Sequence, residues 1–167
     1  MGRKFADAAK ASGADAVILF PFAGPATAVA WIDVCKAMEL GVLVGSHMTH
    51  EEFVEEQRGF IPLKQLERVY DIAVDSVITD FVVPGNHKDL VEKYRDRIEK
   101  RIGSDDFVLY APGFITQGGS ISETGAVAGE NWHAIVGSAL YGQEHPRAIH
   151  DAARRLTAQI IMRTTQE

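Results

Sequence analysis

Cysteine is nearly absent: Cys35 is the one thiol in 167 residues. A disulfide framework is therefore excluded, and a reducing compartment, the cytoplasm, is the expected location. Long apolar runs are missing too. Nothing approaches the roughly eighteen apolar residues that a helical membrane span needs, so no membrane partner is expected. The opening MGRKFADAAK lacks the apolar stretch of a secretory leader. Positive charge is in deficit, with 17 Lys and Arg against 23 Asp and Glu and a net charge of −6. That balance argues against binding by phosphate neutralisation, so no nucleic-acid partner is expected.

What is present is the composition of one globular domain, read as spanning 1–167. Apolar residues make up 46% and charged residues 24%, enough to bury a core. Apolar runs alternate with amphipathic ones. The pattern predicts helices over 1–12, 26–39, 50–58, 63–74, 88–102, 123–130 and 146–162. Between them, strands are expected over 16–20, 41–46, 76–84, 107–111 and 133–138, short enough and apolar enough to be buried on both faces. Gly13, Gly41 and Gly103 read as helix stops, and Thr49 as the cap of an acidic first turn at Glu51-Glu52. The last helix is expected to present Ile149, Ala153, Leu156 and Ile160. Strands alternating with helices mean an α/β protein with a parallel sheet. Two architectures compete: a doubly wound five-stranded parallel sheet, and part of a TIM-type β/α barrel, which when complete needs about 200 residues or more.

In either architecture ligands bind at the C-terminal strand ends. Those ends carry Phe20 to Gly24, Ser46 to His50, Pro84 to His87, Tyr110 to Gly113 and Gly137-Ser138. Gln117-Gly118-Gly119 adds an amide side chain in a long glycine-rich loop, and Gly137-Ser138 offers backbone N–H groups where barrels often hold phosphate. The same glycines could serve only to make turns.

The string Ala111-Pro112-Gly113-Phe114-Ile115-Thr116-Gln117-Gly118-Gly119, followed by Ile135-Val136-Gly137-Ser138-Ala139-Leu140-Tyr141, resembles the end of the orotidine 5'-phosphate decarboxylase family. Gly13-Ala14-Asp15-Ala16 is similar to that family's lead into its fourth strand, and Met48-Thr49-His50 to its Met-Ser-His after the fifth. The resemblance runs in order through essentially the whole chain. It implies an incomplete (β/α)8 barrel, strands four to eight, lacking the first three. It also implies a homodimer that needs no metal or organic cofactor, and decarboxylation of orotidine monophosphate to uridine monophosphate in pyrimidine biosynthesis, once the missing strands are supplied. By position, Thr49 would touch the pyrimidine, Pro112 would lie against the base, and Gln117, beside Gly118, would meet both pyrimidine and phosphate. The backbone of Gly137 and Ser138 would hold the phosphate of a nucleotide monophosphate.

Two departures accompany the resemblance. Ser138 stands where the family has a phosphate-binding arginine, and a serine supplies no charge; Arg147 is the nearest cation that follows. The family's Asp-x-Lys-x-x-Asp signature, which carries the proton donor, does not occur in the sequence. The chain alone is therefore expected to be inactive. The alternatives are a non-catalytic nucleotide- or phosphate-binding module, or a sugar-phosphate lyase of the same barrel superfamily.

Other chemistry-bearing residues have plainer readings. His47 and His50 have no third ligand in sight, so no metal site is assigned. His145 and His150 read as surface groups, Cys35, Trp31 and Trp132 as packing, and Asp33 with Lys36 as a surface ion pair. The charged face of 88–102 reads as a solvated surface.

Overall fold

A computed structural model describes residues 2–104 and 106–161. Helix α1 (Gly2–Ala11) leads into strand β1 (Ala16–Leu19), followed by α2 (Pro25–Ala37) and β2 (Gly41–Gly45). After a single 3₁₀ turn at Glu55–Gln57 come α3 (Leu63–Asp75), β3 (Asp80–Val82), α4 (Lys88–Ile102) and β4 (Val108–Pro112). The chain continues through α5 (Ile121–Ala128), β5 (Trp132–Ile135), a short α6 (Ser138–Tyr141) and α7 (Pro146–Ile161).

The five strands are all parallel and lie in sequential order, β1-β2-β3-β4-β5. A doubly wound sheet needs a reversal of strand order, so that alternative fails. Sequential order with right-handed crossovers places successive helices on the same face. Neighbouring helices accordingly touch in series: α1 with α2, α2 with α3, α3 with α4, α4 with α5, and α5 with α7. This is the winding of a β/α barrel, opened into an arc.

Winding to one side corrects the expectation of strands buried on both faces. Val17, Leu19, Val42, Val44, Phe81, Leu109 and Ala111 face the helices and are buried. The alternate residues face the concave side, where Ile18 is 48% exposed and Ile135 38%. Leu43, Asp80 and Tyr110 on that side are half-buried. The core thus lies between sheet and helices. Tyr70, Tyr94, Ile98 and Leu66 anchor it from α3 and α4, all almost fully buried.

Helix ends show why several predicted boundaries moved. At the end of α3, Ile78 N–H bonds to the Ala73 carbonyl and Val77 N–H to the Val74 carbonyl. That is a Schellman motif, and it takes 76–78 out of the expected strand 76–84. Val77 holds the left-handed position, φ 57°, usually given to glycine. The expected helix 50–58 is not formed. Phe53 and Val54 are adjacent rather than helically spaced, and both turn inward beside Leu66, Met48, Ile61 and Leu63. Glu52 and Arg58 adopt positive φ, and Gly59 N–H bonds to the Val54 carbonyl. Thr49 therefore caps no helix. Helix 123–130 shifts to Ile121–Ala128 because the Ser120 hydroxyl accepts from the Glu123 N–H. Strand 133–138 ends at Ile135, and Gly137 becomes the N-cap of α6.

Two surface expectations change as well. Lys36 does not pair with Asp33; its Nζ donates to the Ser76 carbonyl at 2.9 Å. The charged face of α4 is not merely solvated. Arg97 makes a bidentate bond to Asp71 of α3 at 2.9 and 2.7 Å, and Lys93 pairs with Glu67 at 2.6 Å. Ile149 and Ile160 of α7 remain partly exposed, at 37% and 39%, while Ala152 is buried. Cys35 is buried in α2, as expected, and Trp31 packs on Phe5 with ring centroids 5.0 Å apart. His145 and His150 are exposed, and the His145 Nδ1 accepts from Ala148 N–H at the start of α7.

Candidate functional site

Because the sheet is wholly parallel, the loops after all five strands emerge along one edge. Three of them are welded together. Gly85 N–H of the β3 loop bonds to the Pro112 carbonyl at 2.8 Å. The Thr124 hydroxyl of α5 donates to the Gly85 carbonyl at 2.9 Å. Asn86 Nδ2 donates to the Thr49 carbonyl of the β2 loop at 3.0 Å. The β4 loop then folds down on this joint. Gly113 sits at φ 107°, and a Cβ there would lie 3.0 Å from Thr49 Cγ2 and 3.1 Å from Asn86 Oδ1. Only glycine gives both that φ and that approach.

Beneath these loops is a buried polar layer. The Ser46 hydroxyl donates to the Leu66 carbonyl at 2.7 Å, and the Tyr70 hydroxyl to the Val82 carbonyl at 2.7 Å. His47 Nδ1 lies 2.9 Å from the Tyr94 hydroxyl. His47 is only 3% exposed. Burial, and then the charge on nearby His87, pull its pKa from 6.5 down to about 4, so its imidazole is neutral near pH 7. Burial pushes Tyr70 and Tyr94 upward, so both stay protonated. His47 is thus a support for the loop that carries Thr49 rather than an acid.

A cleft of about 720 Å³ opens above this layer. Thr49 and Gln117 both line it, with His50, Asn86, His87 and Arg58 as further polar groups. Glu51, Glu52 and Glu56 line it as well, and Arg58 is paired with Glu52. The lining offers amide, hydroxyl and imidazole groups beside three carboxylates and no unpaired Lys or Arg, so it suits a neutral polar heterocycle and disfavours a dianion. Asn86 Oδ1 is buried without a hydrogen-bond partner, a state that costs about 1–3 kcal/mol. Among the described residues no group of three His, Cys, Asp or Glu is arranged to hold a metal ion.

The other predicted residues are not part of the lining of this cleft. Pro112 ends β4, half-buried, with its carbonyl in the loop joint. Gly118 is exposed at φ 82°, where its N–H closes a turn onto Ile115. Gly137 and Ser138 sit at the end of β5, as N-cap and first residue of α6, both exposed. Arg147 is exposed on the first turn of α7. Asn86 and His87 were named only as part of a strand end, without a role of their own, and Arg58 was not named. The rule that ligands meet strand C-termini points to the first two, since Pro84 to His87 follows β3. Nothing in the sequence points to Arg58. A smaller apolar cavity, about 250 Å³ around Pro25, Ala28, Leu66 and Val69, contains none of the predicted site residues. No helix among the described residues is long and apolar enough to cross a membrane.

Comparison with known proteins matches a family described as orotidine 5'-phosphate decarboxylase / HUMPS over residues 1–153. The orotidine 5'-phosphate decarboxylase of Methanosarcina barkeri is 31% identical over 159 residues, covering 93% of this chain and 64% of the relative. That of Methanococcus maripaludis is 28% identical over 148 residues, covering 88% and 61%. The chain thus spans less than two thirds of the length of these curated relatives. Among solved structures, orotidine 5'-monophosphate decarboxylase from Methanocaldococcus jannaschii, complexed with inhibitor BMP, superimposes with a TM-score of 0.77 at 21% identity. The superposition covers 95% of this chain and 67% of that one. The enzyme from Pyrococcus horikoshii gives 0.69 at 25% identity, with 95% and 67% covered.

Proposed function

Since the chain belongs to the orotidine 5'-phosphate decarboxylase / HUMPS family, we propose that it forms the strand-four-to-eight arc of such a barrel and binds a pyrimidine nucleotide monophosphate. The observation that carries this reading is the meeting of Thr49 and Gln117, 68 positions apart in the sequence, in one cleft at the strand ends. The base would lie in that cleft, against the Thr49 hydroxyl, the Gln117 amide and the loop begun by Pro112. Its phosphate would reach toward Gly118 and the backbone N–H groups at Gly137 and Ser138.

The reaction would be loss of carbon dioxide from orotidine monophosphate, leaving uridine monophosphate. Such a step needs charge stabilisation at the ring and a proton delivered to the carbon that loses the carboxylate. In this chain's cleft the neutral amides and hydroxyl can orient the ring. No lysine lines it, and the Asp-x-Lys-x-x-Asp spacing is absent from the sequence. The chain therefore binds without turnover by itself and acts only when strands carrying that signature complete the barrel. The half-exposed concave face, with Ile18 and Ile135, supports this, as do the unpaired outer edges of β1 and β5. A homodimer is part of the proposal on family membership alone, and the single buried thiol supports a cytoplasmic setting.

The purified chain should leave the absorbance of orotidine monophosphate unchanged, and a polypeptide supplying the signature strands should restore its decline. Turnover by the chain alone would refute the assignment of the missing proton donor. Turnover of a sugar phosphate instead would move the assignment to the lyase alternative.

A further inference from the structure

Asn86 occupies the junction of three strand-end loops. Its Nδ2 holds the Thr49 carbonyl at 3.0 Å. Its Cα and Oδ1 lie under the β4 loop, where a Cβ at Gly119 would come 2.9 Å from the Cα and one at Gly113 3.1 Å from Oδ1. Its own backbone neighbour, Gly85, is tied to Pro112 and Thr124. The Oδ1 is buried and finds no hydrogen-bond donor among the described residues. Flipping the amide would set Oδ1 against the Thr49 carbonyl, two acceptors face to face, so the Thr49 bond fixes which atom goes unpaired. An asparagine that served packing alone would be expected with both ends satisfied.

We propose that Asn86 is a positioning residue: it locks the Thr49 segment to the Gly113–Gly119 loop, so that Thr49 and Gln117 face a ligand as one unit. Thr49 and Gln117 come from different strands, and no hydrogen bond joins them directly among the described residues. Without the Asn86 joint each loop would adjust alone, and the ordering of both would fall on ligand binding. The ligand consequence rests on the nucleotide reading above; the mechanical consequence does not.

Hydrogen–deuterium exchange on the full chain tests the mechanical part, with Asn86→Ala and the shape-preserving Asn86→Asp, which removes the donor to Thr49. Both variants should speed exchange about tenfold in 47–52 and in 113–119 together, leaving α3 and α4 unchanged. Acceleration in one segment only, or in neither, overturns the proposal. Titration then separates positioning from general loosening. Uridine monophosphate affinity should fall about tenfold while ribose 5-phosphate affinity stays the same, because the joint lies at the base end. Equal weakening of both ligands overturns it. If the unsubstituted chain binds no uridine monophosphate, the nucleotide reading fails and the exchange result alone decides the role of Asn86.

Discussion

Acid should destabilise this protein through His47 in particular. The imidazole is 3% exposed, bonded through Nδ1 to the Tyr94 hydroxyl, and flanked by the rings of Phe53 and His87 with centroids 5.6 and 6.5 Å away. Burial first, then the His87 charge, depress its pKa from 6.5 to about 4. Only the neutral form suits the folded site, so the unfolded chain binds the extra proton between these two values. The contribution is fully present above about pH 6.5 and drains away as pH falls toward 4. At 1.36 kcal/mol per pH decade the whole effect is about 3 kcal/mol, most of it gone by about pH 4.5. Urea unfolding followed by circular dichroism at a series of pH values, for the native chain and His47→Asn, isolates it, since the carboxylates titrate in both proteins. The variant should be the less stable at about pH 7.5, and the gap should narrow by about 2–3 kcal/mol at about pH 4.5. Parallel curves would refute the claim that His47 is held neutral by its surroundings.

Other substitutions probe the remaining structure. Val77→Gly should raise stability by about 1 kcal/mol in urea unfolding, because a β-branched residue now holds the left-handed position at φ 57° with its side chain 76% exposed. Arg97→Ala should lower it by about 1 kcal/mol, less at high salt, since its bidentate bond to Asp71 joins α3 to α4 at a partly exposed surface. Gly113→Ala should cost about 1–3 kcal/mol and at least tenfold in nucleotide affinity, because the new methyl meets Thr49 and Asn86 at a φ of 107°.

The alternation of elements was readable because helices such as α3 and α4 carry a periodic apolar face, as Val91, Tyr94 and Ile98 show in α4. Winding to one side was not, because the concave residues Ile18, Leu43 and Ile135 are as apolar as those facing the helices. Local sequence also misled at 50–58. Its glutamates suggest a helix start, but burial of the adjacent Phe53 and Val54 outweighs propensity. Within the site, Thr49 and Gln117 were found through motifs and do share the cleft. Asn86 was legible only as part of the Pro84 to His87 strand end, because its importance lies in a bond to the Thr49 carbonyl, 37 residues away, which no local pattern encodes. Gly137 and Ser138 were legible as a strand end, but not as the cap of a four-residue helix.

The central claim is that this chain already carries a pyrimidine nucleotide pocket. Calorimetric titration of uridine monophosphate into the native chain and into Gln117→Ala tests it most directly, since Gln117 is exposed and its truncation leaves the core untouched. The native chain should bind saturably, and the variant with an affinity at least about tenfold weaker. No binding by the native chain, or equal affinity in both, would contradict it.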